Sequence, residues 1–252
     1  SLGEINAFYY PYRRHHVSPL CSCEKEQCLF FDKVKNYSRK GVYNKLFEEN
    51  EIENIVDSSK SLLWIFENMK HLESDSTEVF NIVLIKDFKS YAHSIWKRGG
   101  RIQLAYKKYT SYYNMLINSG INYCLVNQND LINNKENVSN IIREYTGLVL
   151  EKEHFDFWNF KHHYFFGSPS AKNQISNKSK QKPTGLEDKF LIDFDLFVDD
   201  KRGNILMKLQ NRLKNKEFVE SRPNIKFKTW YILKKMKTSL ISFYTIYNEK
   251  RK

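Results

Sequence analysis

Residues 79–98 read VFNIVLIKDFKSYAHSIWKR, a run of apolar β-formers that stops at Lys86-Asp87 and passes into a helical pattern. A continuous apolar run over 79–85 suits a central parallel strand covered on both faces. Residues 88–98 then predict a helix that Gly99-Gly100 ends. In an open parallel sheet, ligands sit beyond the C-terminal ends of the strands, at helix N-termini. Lys86 stands on that lip. Ser94 follows about two turns into the helix and meets the face of Lys86 only if the helix lies across the site. A lysine that ends a strand is also common on surfaces with no ligand.

Upstream, Ile55-Val56 is a short apolar step that ends at Asp57-Ser58-Ser59-Lys60. A helix is expected there, with a serine or aspartate as N-cap and Leu62, Leu63, Ile65, Phe66 and Met69 on its buried side. Two strand ends therefore carry a lysine, and each precedes a helix. Two cations converging on one crevice suit an anion with more than one phosphate. Downstream, the pattern predicts a tyrosine-rich helix over 102–118 broken by Ser119-Gly120, a strand over 121–127, and a helix from Val138 to Tyr145 closed by Thr146-Gly147. Residues 1–40 look loop-rich, 41–54 mixed helical, and 168–185 a polar surface loop. No internal repeat is visible. Strands alternating with helices predict an α/β fold, a parallel sheet flanked by helices. The expected division is an α/β domain over 1–200 and a basic helical segment over 201–252.

The chain of 252 residues is 41% hydrophobic and 15% aromatic, enough for one sizeable core or two small ones. No apolar run reaches the ~18 residues of a transmembrane helix, and no signal peptide is visible. The compartment stays open at this point, with the cytoplasm favoured and a Golgi-type lumen the alternative. Residues 201–252 hold fifteen lysines and arginines against three acids, Glu217, Glu220 and Glu249, which accounts for the whole formal excess of +12. Such a segment attracts an acidic polymer or an anionic membrane surface. The plainer alternative is a solvated basic helix pair. Nothing in it carries a nucleic-acid fold signature, so nucleic acid is not the expected partner.

Of the four cysteines, Cys21, Cys23 and Cys28 cluster in CSCEKEQC and Cys124 stands alone. A structural zinc site wants four thiolate or imidazole ligands. The C-x-C-x4-C run supplies three, and His15 and His16 lie near in sequence. A loop disulfide and plain structural thiols are the alternatives.

Several stretches together resemble the sulfotransferase family. IVLIKDFKSYAHS looks like that family's 3′-phosphate motif, a strand ending in Arg-Asp-Pro with a serine eight residues after the arginine; Lys86-Asp87-Phe88 and Ser94 take those places. VDSSKS is similar to the Asp-Ser-Ser-Lys segment of bacterial sulfotransferase-like proteins, and SLGEI to the Gly-Glu that follows the first helix. CSCEKEQCLFF resembles a Cys-x-Cys-Gly…Cys-x-Trp segment, here without the glycine. VSNIIREYTGLVLE and HHYFFGSPSAKN resemble later elements, and the likeness spans residues 1 to about 175 in family order. It implies a P-loop NTPase-like architecture, N-terminally incomplete. The implied activity is transfer of a sulfuryl group from 3′-phosphoadenosine 5′-phosphosulfate (PAPS) to a hydroxyl or amine on a glycan, lipid or small metabolite, with no metal required. Glu4 would be the general base, Lys60 the cation on the transferring group, Lys86 and Ser94 the 3′-phosphate ligands, and Ser168 and Lys172 a cover over the nucleotide.

Three departures from the family pattern matter. The glycine-rich 5′-phosphosulfate loop expected before Gly3-Glu4 is not in the sequence, so either the chain is truncated upstream, as its Ser1 start suggests, or it is inactive. Lysine for arginine at position 86 keeps the charge and loses the bidentate fork. Phe88 replaces proline and alters the turn. The alternative reading is a non-catalytic binding protein on the same fold, using its basic tail on an acidic partner. No Gly-x4-Gly-Lys-Ser/Thr occurs, which counts against a nucleotide kinase. Tyr106, Tyr109, Tyr112 and Tyr113 could line an acceptor cleft, although packing is the more ordinary role for an amphipathic helix. Trp158 could stack on the nucleotide, but so dense an aromatic cluster is more often core. His162 and His163 read as structural.

Overall fold

The structure, a computed structural model, describes residues 2–9, 21, 23, 28–50, 52–72, 77–156, 159, 163 and 185–215. Ser168, Lys172, Trp158, His15, His16, His162 and residues 216–252 lie outside the described residues. Helices and strands are mixed, with a small parallel sheet and many helices. The described residues form two compact units. One comprises residues 2–79 with Asp156, Asn159 and His163; the other comprises 80–155 and 185–215.

The first unit is helical. Its elements are α1 (Asn6–Tyr9), α2 (Leu29–Val34), α3 (Val42–Asn50) and α4 (Leu62–Leu72). Two of these helices lie inside the segment that sequence alone reads as loop. Ser61 begins α4, accepting the backbone N–H of Trp64 at its hydroxyl, 3.4 Å away. Leu62 and Leu63 are buried as the pattern predicts. Ile65, Phe66 and Met69 are only half-buried. Trp64, Glu67, Asn68 and Leu72 complete the inward face. The core gathers Ile5, Phe31, Val34, Val42, Leu46 and Trp64, with Cys21 and Cys28 at its margin.

The second unit carries β1 (Ile82–Ile85), α5 (Phe88–Trp96), α6 (Ile102–Ser119), β2 (Cys124–Asn127), α7 (Gln128–Asn133), α8 (Lys135–Thr146), α9 (Asp188–Phe197) and α10 (Asp200–Lys214). β1 and β2 pair in parallel, with Ile82 opposite Cys124 and Ile85 opposite Asn127. The α5–α6 pair forms the crossover that a parallel connection requires. α8 covers Cys124 and Val126 with Val138. The sheet has two strands among the described residues. β1 is shorter than the apolar run 79–85, and Ile82 and Leu84 are 46% and 47% exposed. The continuous run marks β propensity, while coverage of both faces depends on neighbours that the run does not encode.

Glycines close the helices where expected. Gly99 lies at φ +78°, and the N–H groups of Gly99 and Gly100 donate to Trp96 and Ile95 carbonyls. This is a Schellman closure. A Cβ on Gly100 would sit 2.5 Å from Ile95 Cγ2, so glycine is required there. Gly120 and Gly147, both at φ +74°, end α6 and α8. α10 runs across the boundary expected at residue 200, its N-cap Asp199 accepting from the Arg202 N–H.

Candidate functional site

In the second unit the end of β1 turns directly into α5. Asp87 caps the helix, its carboxylate accepting from the Ser90 N–H at 2.8 Å. Lys86, one residue earlier, folds over the first turns. Its Nζ donates to Ser94 Oγ at 3.0 Å, and that hydroxyl donates to the Ser90 carbonyl at 3.0 Å. The helix therefore does lie across the lip, and the eight-residue spacing brings lysine and serine together. The Lys86 backbone is held from behind, where the buried Tyr109 on α6 donates its hydroxyl to the Lys86 carbonyl at 2.9 Å.

The electrostatics of this lip favour an anion. Partial burial lowers the Lys86 pKa, and Arg98 adds to the effect against an opposing pull from Asp87. Arg98 is anchored over the same turn, its Nε donating to the Ser94 carbonyl at 2.8 Å. No salt bridge engages Lys86 among the described residues. Both cations are thus tied to Ser94, Lys86 through the hydroxyl and Arg98 through the backbone carbonyl. The sequence reading did not include Arg98. Its signal was there in the helical spacing Ser94–Arg98, four residues apart on one face. Of the four tyrosines for which packing was the more ordinary expectation, Tyr109 and Tyr113 are buried. Burial pushes the Tyr109 hydroxyl up to about 12, so it acts as a neutral donor.

In the first unit Glu4 and Lys60 meet. Lys60 Nζ lies 2.5 Å from Glu4 Oε1, with the lysine side chain 68% exposed and the glutamate 17%. Backbone bonds lay the two segments side by side: the Leu2 N–H donates to the Val56 carbonyl and the Ser58 N–H to the Gly3 carbonyl, each at 2.8 Å. Gly3 takes φ +70°, a conformation that costs glycine little. A lysine just ahead of α4 opposes the helix dipole, and Glu4 supplies the counter-charge.

Beneath this pair sits a knot centred on Asp57. Its Oδ1 accepts from the Ser59 N–H at 2.9 Å and from the Ser59 hydroxyl at 2.7 Å. Its Oδ2 accepts from the Tyr43 hydroxyl in a short bond and from Trp64 Nε1 at 3.1 Å. Ser59 Oγ in turn accepts from the Asn6 N–H at 3.1 Å. The aspartate of Asp-Ser-Ser-Lys is thus a structural hub. Its partners Tyr43 and Trp64 come from other elements, and no local signal announces them.

A third cluster lies in the first unit. Cys21, Cys23, Cys28 and His163 each present one ligand atom, and these atoms lie within 4.8 Å of one another. His163 Nδ1 is 3.2 Å from Cys28 Sγ and 3.7 Å from Cys21 Sγ. All four cysteines of the chain are thiols, none in a disulfide. Burial pushes the Cys21 thiol up to about 12, and neighbouring thiols reinforce the shift. His163, read from sequence as structural, takes the place that proximity in sequence had suggested for His15 or His16.

The structure thus brings Glu4 to Lys60 and Lys86 to Ser94. No helix among the described residues is long and apolar enough to cross a membrane. No family model, no curated protein and no solved structure matches this chain.

Proposed function

We propose that the chain is a sulfotransferase-like protein of P-loop NTPase-like architecture that binds a 3′-phosphorylated adenine nucleotide. The Lys86–Ser94 contact at the end of a parallel strand carries the reading. A partly desolvated lysine, a hydroxyl and a nearby guanidinium fit a phosphate dianion in both charge and donor count. In this reading Lys86 and Ser94 hold the 3′-phosphate, with Arg98 adding to the positive field. Glu4 accepts the proton of the acceptor hydroxyl as it attacks. Lys60, paired with Glu4, supplies positive charge where oxygen charge develops. PAPS, when bound, supplies the sulfuryl group. The acceptor is a hydroxyl or amine of a glycan, lipid or small metabolite. The sequence contains no glycine-rich phosphosulfate loop, so nucleotide binding, not turnover, is the first test.

Calorimetry with 3′-phosphoadenosine 5′-phosphate, using 5′-AMP as control, makes that test. The 3′-phosphorylated nucleotide is expected to bind more tightly. Lys86→Ala should erase the preference, a loss of about 1.5–3 kcal/mol for a charge-assisted phosphate contact, or roughly 10- to 100-fold. Equal affinities for the two nucleotides, or a preference that survives Lys86→Ala, would remove the basis for the reading.

A further inference from the structure

We infer that Cys21, Cys23, Cys28 and His163 form a closed, four-ligand zinc site that ties the segment around residue 163 to the N-terminal part of the first unit. Four side chains of the two types zinc prefers turn their donor atoms toward one point, all within 4.8 Å of each other. A tetrahedral site with Zn–S near 2.3 Å and Zn–N near 2.0 Å has S···N edges of about 3.5 Å. The His163–Cys28 and His163–Cys21 separations of 3.2 and 3.7 Å bracket that value. These two sulfur–nitrogen edges need little change to accept the ion, and the remaining ligand atoms close in from within 4.8 Å.

The alternatives account for less. A disulfide would use two sulfurs and leave a third thiol and an imidazole converging on it without purpose. Plain core packing does not explain an imidazole nitrogen within hydrogen-bonding reach of two thiols that are 135 and 142 residues away along the chain. The surroundings suit a metal thiolate. The Cys23 N–H donates to Cys21 Sγ at 3.4 Å, the kind of outer contact that steadies a bound sulfur. Phe30 lies against the His163 ring with centroids 5.3 Å apart and fixes its orientation.

Three sulfurs and one nitrogen fill the tetrahedron, so the site is structural: no position is left for water or substrate. Soft thiolates with imidazole select zinc over magnesium or calcium. Uptake of Zn²⁺ expels the protons of the thiols that ligate it, and no electron is transferred. Cys21 and Cys28 belong to the same core as Leu2, Ile5 and Phe31. The ion therefore cross-links this core at little cost in buried area, and its loss should loosen the whole first unit. The inference is independent of the nucleotide reading.

The test is metal content and Co(II) substitution on the reduced full-length chain. Mass spectrometry should find about one zinc per chain after dialysis. Co(II) exchange should give the intense visible bands of a tetrahedral thiolate site, with sulfur-to-cobalt charge transfer. Cys28→Ser and His163→Ala should each weaken metal retention by more than the ~10- to 100-fold typical of outer-shell changes. Cys124→Ser, at a buried thiol outside the cluster, should retain the metal. His163→Cys keeps four ligands and should hold Co(II) with a spectrum shifted toward four thiolates, which separates ligand loss from misfolding. A reduced wild-type chain that takes up neither zinc nor Co(II) overturns the inference. So does Cys124→Ser losing metal as readily as Cys28→Ser.

Discussion

Asp57→Ala should destabilise the first unit by about 3 kcal/mol or more, read as a lowered urea midpoint at unchanged slope. The Asp57 carboxylate accepts from the Ser59 N–H, the Ser59 hydroxyl, the Tyr43 hydroxyl and Trp64 Nε1. Alanine would remove this acceptor from both Ser59 donors and the Tyr43 hydroxyl, while Trp64 Nε1 would keep its 2.7 Å bond to the Tyr43 hydroxyl. Tyr43 and Ser59 are buried, so the donors that lose Asp57 have little water to turn to. Asp57→Asn should cost less, because one acceptor oxygen remains, but its amide would face a donor pair. Burial lifts the native Asp57 carboxyl above its ordinary pKa of 3.8, while Tyr43, Ser59 and Trp64 pull it back. The native state therefore keeps this proton where the unfolded chain has lost it. Stability from this group falls as pH rises from 3.8 through the raised native value, and no such loss occurs below that window. Asp57→Asn should flatten that slope. A destabilisation by Asp57→Ala under ~1 kcal/mol would mean that the knot is not a stabilising hub.

Phe190→Ala should be comparably severe in the second unit, at about 3–5 kcal/mol. Phe190 is completely buried. Its ring centroid lies 4.9 Å from His93, 5.8 Å from Trp96 and 5.5 Å from Phe194. Phe194 continues to Phe88, and Phe88 to Tyr109, whose hydroxyl holds the Lys86 carbonyl. The aromatic column thus backs the lip that bears the proposed phosphate site. Alanine would open a cavity behind α5, and the rigid helices around it cannot fully collapse into the gap. Thermal unfolding followed by near-UV circular dichroism would show a lowered midpoint, with Phe190→Leu between the two. A wild-type midpoint for Phe190→Ala would mean that the column relaxes freely and the lip does not depend on it.

The strand–turn–helix around Lys86 was legible because its parts are local. A β-branched run, an aspartate cap and a glycine pair, Gly99 at positive φ and Gly100 packed close against Ile95, each act within a few residues. Lys86 and Ser94 meet because the turn at Asp87 lays α5 across the strand end, a condition that the eight-residue spacing left open. The Glu4–Lys60 pair was suggested only by resemblance, since 56 residues separate its members.

The Asp87 start of α5, the glycine stops of α5, α6 and α8 and the β1 run are properties of short peptide geometry, and the sequence by itself determined them. It also determined the charge that gathers after residue 200. Tertiary structure alone decided which histidine joins the cysteines, because His163 becomes their neighbour only when distant chain segments fold together. It likewise made Asp57 a hub by bringing Tyr43 and Trp64 to one carboxylate. Tertiary packing also left Ile82 and Leu84 partly exposed, since an apolar strand is covered only where another element packs against it. Local conformation follows from sterics and backbone hydrogen bonding over a few residues. Burial and ligand convergence follow from packing between segments whose separation along the chain carries no periodic signal.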